Sequence, residues 1–156
     1  MMHFCVDVMS NKSTEFFLSL FDKTPELRVL VFYRNNKYFL DILQESLSST
    51  NPRIKAVELT DDFAQKTLKL TPRAYEYVVL VDILDGTNSE YLKELYHSLE
   101  NSAHIIVLSK KSNLIDAYYI KELLDSNDFR AANEIDIFDD YYLVTAKKLH
   151  MWGAGL

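Results

Sequence analysis

The chain has 156 residues, 48% of them hydrophobic and 13% aromatic, which suits one domain with a substantial core. Its formal charge of −6 gives no general electrostatic reason to bind nucleic acid or an anionic membrane. A single cysteine, Cys5, excludes an intrachain disulfide or a multi-cysteine zinc site and makes the cytoplasm the expected compartment.

Met1 to Asp7 has neither the basic start nor the long apolar stretch of an export signal, and every apolar run is too short to span a bilayer, so no membrane association is expected. Ser13-Thr14-Glu15 leads into Phe16, Phe17, Leu18, Leu20 and Phe21, an apolar face at helical spacing with Ser13 as a capping residue. Residues 1–24 thus read as a helical extension. Leu27 to Tyr33 is a nearly continuous apolar run, as expected of a strand buried on both faces. Phe39, Leu40, Ile42, Leu43 and Leu47 then form one stripe of an amphipathic helix over 36–47.

The alternation repeats. Ile54 to Leu59 reads as a strand, and Thr60-Asp61-Asp62 caps a helix over Phe63 to Leu70, closed by Pro72. Tyr77 to Leu84 is the strongest buried strand, and Asp85-Gly86-Thr87-Asn88 turns it into a helix over 89–99. His104 to Leu108 is a further strand, followed by a helix from about Leu114 to Leu124. Phe129 to Phe138 and Tyr141 to Leu149 are both strand-like and separated only by Asp139-Asp140, too short for a parallel crossover, so they form an antiparallel hairpin at one edge. The expected fold is one three-layer α/β/α domain over 1–156, with a mostly parallel sheet and a C-terminal antiparallel hairpin.

Chemistry-bearing residues are sparse. His3, His97, His104 and His150 have no metal-ligand spacing, and no metal is predicted. Ser109, Ser112 and Cys5 lack the context of a nucleophile. Arg34 and Lys37 follow the first buried strand, and Lys110 and Lys111 follow the strand at 104–108. Carboxyl ends of parallel strands border the crevice of such sheets, so Arg34, Lys110 and Lys111 are candidates for holding an anion. Ten tyrosines, nine phenylalanines and the apolar tail at 150–156, with the only tryptophan, point to a protein partner or self-association as a homodimer.

From residue 27 to 149 the arrangement resembles the class I S-adenosylmethionine-dependent methyltransferases, whose Rossmann-like sheet ends in an antiparallel hairpin strand. Tyr77 to Leu84 is similar to that family's fourth strand, His104 to Lys110 to its fifth and Phe129 to Leu149 to its last two. The interval from Leu59 to Tyr77 is shortened, leaving an edge strand missing or vestigial. The resemblance places the cofactor turn at Arg34-Asn35-Asn36-Lys37, a ribose-binding acid at Glu58 and a residue near the transfer centre at Asp82. That turn has no glycine: the only three are Gly86, Gly153 and Gly155. Asparagine tolerates positive φ, so Asn35 and Asn36 suit the turn, yet their side chains occupy space a cofactor needs. The resulting expectation is a methyltransferase-like interaction or regulatory module that binds no cofactor. The alternative is an active S-adenosylmethionine enzyme with an asparagine-containing loop. Ranked lower are a phosphate or nucleotide binder using Lys110 and Lys111, and a receiver domain, which Val79 to Leu84 and Ile105 to Lys110 also resemble, with Asp82 as phosphate acceptor but no acidic pair after the first strand.

Overall fold

A computed structural model describes residues 11–59, 70–84 and 91–149. In chain order the elements are α1 (Asn11–Ser19), β1 (Arg28–Tyr33), α2 (Tyr38–Leu47), β2 (Arg53–Glu58), β3 (Tyr75–Val81), α3 (Tyr91–Ser98), β4 (Leu99–Lys110), α4 (Ala117–Ser126), β5 (Arg130–Glu134) and β6 (Tyr141–Lys147). Six strands form one sheet in the order β2-β1-β3-β4-β6-β5. The first four are mutually parallel, while β6 runs antiparallel to both β4 and β5. This is the expected α/β Rossmann-like architecture with its antiparallel hairpin. It departs from the all-parallel 2-1-3-4-5 order of receiver-type domains, because β6 is inserted antiparallel beside β4.

The apolar runs make sense as strands buried from both sides. In β1, Leu30 and Phe32 enter one core with Val78 and Leu80 of β3, while Val29, Val31 and Tyr33 enter a second core with Tyr77, Val79 and Val81. Successive side chains of a strand point to opposite faces, so each face requires its own helices. Leu92 and Leu95 of α3 and Ile120 and Leu124 of α4 cover the first face. Phe17 of α1 and Phe39, Leu40, Leu43 and Leu47 of α2 cover the second. Phe39 is the hub there, with ring centroids 5.3 Å from Phe17, 5.5 Å from Phe138 and 5.1 Å from Tyr141, all near T-shaped.

Several boundaries differ from the sequence reading. Helix α1 begins before Ser13, whose hydroxyl donates to the Ile137 carbonyl instead of capping the helix. Strand β3 stops at Val81 because Asp82 takes a left-handed φ of 58°, which takes Ile83 and Leu84 out of the ladder. Strand β4 starts at Leu99, with an irregular register against β3 and a left-handed Ser102 within it. Helix α4 starts at Ala117, where the Asp116 side chain accepts from the Tyr119 N–H at 2.9 Å. The hairpin arms are shorter than expected, and β6 is the inner one, leaving β5 at the edge. The expected helix over 63–69, the turn at 85–88, Cys5 and the tail at 150–156 lie outside the described residues. Among the described residues no helix is long and apolar enough to cross a membrane.

Candidate functional site

β1 is flanked by β2 on one side and β3 on the other, and the helices that follow β1 and β3 cover opposite faces of the sheet. Chains leaving neighbouring parallel strands in opposite directions open a crevice beyond the strands' carboxyl ends. A cavity of about 280 Å³ lies there, lined by Arg34 and Asn35 after β1, Asp82 and Leu84 after β3, and Lys110, Asn113, Leu114 and Ile115 after β4. A second cavity of about 470 Å³ adjoins it through Asn35 and Lys110 and continues past Asn36, Tyr38, Lys111, Ser112, Asp140 and Tyr141.

The turn after β1 resolves the question raised by the missing glycine. Asn35 adopts φ 62°, the left-handed conformation that glycine ordinarily supplies at a cofactor turn. Asn36 has a different task. Its side-chain oxygen accepts from the Tyr38 N–H at 2.9 Å at the start of α2, and its Nδ2 donates to the Tyr141 hydroxyl at 2.5 Å. The two asparagines therefore divide the work: one makes the turn, and the other ties it to helix α2 and strand β6.

Beside them the guanidinium of Arg34 carries an unmet demand. Its Nε is buried and has no hydrogen-bond partner among the described residues. A buried donor without an acceptor costs about 1–3 kcal/mol, and in a residue that lines a cavity it marks a place where a ligand's acceptor fits.

Asp82 closes the opposite wall. Its N–H donates to the Leu108 carbonyl at 2.8 Å, and its Oδ1 accepts from the Lys110 N–H at 2.9 Å and from Asn113 Nδ2 at 3.3 Å. Burial pushes the Asp82 carboxyl above its ordinary value, against the downward pull of the Lys110 N–H and charge, the Asn113 amide and Arg34. Asn113 also donates to the buried Ser109 hydroxyl at 3.1 Å, so the end of β4 is braced from beneath.

Glu58 is the last residue of β2 and stands in register with Tyr33, the last of β1. It is solvent exposed and lines neither of the two cavities. The structure thus brings Arg34, Asn35, Asn36, Asp82, Lys110 and Lys111 to one end of the sheet, with Glu58 one strand away. Sequence reasoning missed Asn113, Tyr38 and Tyr141. Asn113 carried a weak signal, a polar side chain three residues beyond Lys110, but Tyr141 enters only through strand order. No group of three or more metal-ligating side chains occurs among the described residues.

This is the fold of the class I S-adenosylmethionine-dependent methyltransferases, with β2 at one edge of the sheet among the described residues. Solved structures bear this out. The chain is similar to an S-adenosylmethionine-dependent methyltransferase from Aquifex aeolicus, at 12% identity and a TM-score of 0.68, covering 87% of this chain and 89% of that one. It is similar also to human N-acetylserotonin methyltransferase in complex with S-adenosylmethionine, at 14% identity and a TM-score of 0.59, covering 88% of this chain and 52% of that one. A third likeness is to phosphoethanolamine N-methyltransferase 2 of Haemonchus contortus, in complex with S-adenosylhomocysteine, at 9% identity and a TM-score of 0.62, covering 90% and 53%. The chain therefore spans about half the length of several of these enzymes. By sequence, no family model and no curated protein matches it.

These findings overturn the expectation that no cofactor binds. That expectation rested on the missing glycine and on space filled by two asparagine side chains. Asn35 supplies the left-handed turn, Asn36 is tied to α2 and Tyr141, cavities open beside both, and similar structures hold S-adenosylmethionine or S-adenosylhomocysteine.

Proposed function

We propose that this chain binds S-adenosylmethionine across the carboxyl ends of β1, β2 and β3 and acts as a methyltransferase. The observation that carries the proposal is the left-handed Asn35 at the cavity between β1 and β3, beside the unpartnered buried Nε of Arg34. Glu58, at the end of the strand next to β1, would accept two hydrogen bonds from the ribose hydroxyls. Arg34 is suited to the carboxylate of the cofactor's amino-acid portion, which would satisfy its orphan donor.

Bound there, S-adenosylmethionine supplies an electrophilic methyl group. The work left to the chain is chiefly positioning, because in-line displacement requires alignment more than an acid–base dyad. Asp82 and Asn113 keep the end of β4 fixed against β3, and Asn36 fixes the β1 turn against β6. Calorimetric titration of the full chain with S-adenosylhomocysteine tests the proposal. Saturable binding at micromolar concentrations, weakened by Arg34→Ala, is expected; no heat at millimolar ligand overturns it.

A further inference from the structure

The second cavity lies away from the β2 side of the crevice and on the other face of the sheet from Leu84 and Ile115, two of the three apolar residues lining the first. Tyr141 belongs to the core cluster of α1 and α2, and Tyr38 packs against it. At about 470 Å³ it falls within the range of small-molecule sites. Its lining combines two aromatic rings, Tyr38 and Tyr141, with two lysines, Lys110 and Lys111, against one carboxylate, Asp140.

Both tyrosine hydroxyls are already engaged: that of Tyr38 lies 2.9 Å from the Thr14 hydroxyl, and that of Tyr141 accepts from Asn36. Tyr141 is 4% exposed, so the ring surface open to a guest comes chiefly from Tyr38. Lys110 makes no salt bridge among the described residues, and both lysines are exposed. Lys111 reaches Asp136 only at 4.0 Å, with Asp136 82% exposed, a surface pair that contributes little. Lys111 also lies 5.5 Å from the centre of the ring of Tyr142, which packs against the first core. The Lys111 N–H donates to the Asp140 carbonyl at 2.9 Å, fixing the loop that presents both lysines. In a chain of net charge −6, two exposed lysines thus gather at one cavity, with Asp140 the one carboxylate among its lining residues.

From this juxtaposition we infer that the second cavity receives the methyl acceptor, a small planar molecule whose anionic group, carboxylate or phosphate, is held by Lys110 and Lys111. The inference rests on the methyltransferase reading for the guest's role as acceptor, but its binding chemistry is testable separately. Because Asn35 and Lys110 line both cavities, an acceptor seated on the lysines lies next to the cofactor crevice. The acceptor's nucleophilic atom would take the methyl carbon as its bond to the sulfonium sulfur breaks, leaving the thioether, and the acceptor's proton would pass to solvent.

The test is ligand-observed NMR on the full chain, with and without S-adenosylhomocysteine, using 4-hydroxybenzoate, 4-hydroxyphenyl phosphate and the neutral isostere 4-hydroxybenzamide. One or both anions are expected to bind roughly tenfold or more tightly than the amide, and the double variant Lys110→Gln/Lys111→Gln to erase that preference. Both lysines are exposed, so circular dichroism of the variant should match the parent. Which anion binds more tightly distinguishes a carboxylate from a phosphate acceptor. Equal affinity for the amide, a preference that survives in the double variant, or no binding of either anion overturns the inference. If the anions bind through the lysines while S-adenosylhomocysteine fails to bind, the methyltransferase reading falls and the anion site stands. If S-adenosylhomocysteine binds and the anions do not, the reverse holds.

Discussion

Asn36 and Tyr141, 105 residues apart in sequence, are joined by a hydrogen bond from the asparagine Nδ2 to the phenol oxygen. The same asparagine caps the Tyr38 N–H, so one side chain couples the β1 turn, helix α2 and strand β6. Tyr141 in turn packs its ring against Phe39 of α2, with centroids 5.1 Å apart. Asn36→Ala should destabilise the fold by about 1–2 kcal/mol through the loss of its two hydrogen bonds. Tyr141→Phe should cost about 1 kcal/mol. In a double-mutant cycle by urea denaturation the two should couple by at least about 0.5 kcal/mol, and strictly additive losses would show the bond to be idle.

Asn35 should tolerate glycine far better than alanine. At φ 62° a β-carbon costs about 1 kcal/mol or more unless a side chain such as asparagine offsets it locally. Asn35→Ala should therefore lower the urea midpoint, while Asn35→Gly stays within about 0.5 kcal/mol, relieved strain offsetting the greater freedom of the unfolded chain. The glycine variant should also bind S-adenosylhomocysteine at least as tightly as the parent, because it removes a side chain from the crevice without altering the turn. Loss of binding in that variant would show that the amide itself contacts the ligand.

How the site became legible follows from these two residues. Binary pattern and turn chemistry are local, so the runs at 27–33 and 77–84 and the stripe at 39–47 revealed buried strands and an amphipathic helix without knowledge of their neighbours. The need for a left-handed residue after β1 was local too, and Asn35 was readable as one that meets it. The partner of Asn36 was not, because Tyr141 comes next to the β1 turn only through the placement of β6 against β4. The early start of β4 was hidden for another reason. Glu100, Asn101 and Ser102 are polar, and Glu100 belongs to an ion pair at the opposite end of the sheet, with Arg28 Nη2 2.9 Å from its Oε2. The end of β3 was overrun because Ile83 and Leu84 are as apolar as the strand before them. They are buried beyond the ladder, after the left-handed Asp82 turns the chain.

Asp82 should oppose stability as the pH rises. Burial raises its carboxyl pKa in the folded state above the ordinary 3.8, so the folded form holds the proton more tightly than the unfolded form. Its stabilising contribution is complete below the ordinary value and is lost as pH rises through the folded value. Asp82→Asn keeps an oxygen acceptor for the Lys110 N–H, suits φ 58° and carries no charge to desolvate. The variant should match the parent at acid pH and exceed its stability at neutral pH, as thermal melts across pH would show. A parent that remains the more stable at neutral pH would mean that the Lys110 and Arg34 charges outweigh burial.

Lys148 gives the opposite dependence on the alkaline side. It is 8% exposed, its Nζ donates to the Leu99 carbonyl at 2.9 Å, and it sits 4.8 Å from the centre of the Tyr96 ring. Burial and the Arg73 charge lower its pKa from 10.5, with Glu100 opposing. Between the lowered value and 10.5 the unfolded chain holds more protons than the folded one, so this group adds stability as pH rises through that window. Lys148→Met keeps the stem and removes the charge; chemical denaturation across that window should show the rise disappear. A slope unchanged in the variant would assign the alkaline dependence to other groups.

Glu58 is the sharpest test of how the crevice is used. It terminates β2 beside Tyr33, and its side chain makes no hydrogen bond or salt bridge among the described residues, so the fold has little use for its charge. Substituting an exposed, unpartnered side chain normally changes stability by no more than about 0.5 kcal/mol. If two ribose hydroxyls donate to its carboxylate, Glu58→Ala should weaken S-adenosylhomocysteine binding by roughly tenfold to a hundredfold while leaving the melting temperature unchanged. Glu58→Gln, which keeps one oxygen acceptor without the charge, should fall between. The separation of affinity from stability is what distinguishes a ligand-binding acid from a solvated one. Identical affinities in calorimetric titrations of all three proteins would remove Glu58 from the site and confine the ligand's contacts to the Arg34 and Asp82 walls of the crevice.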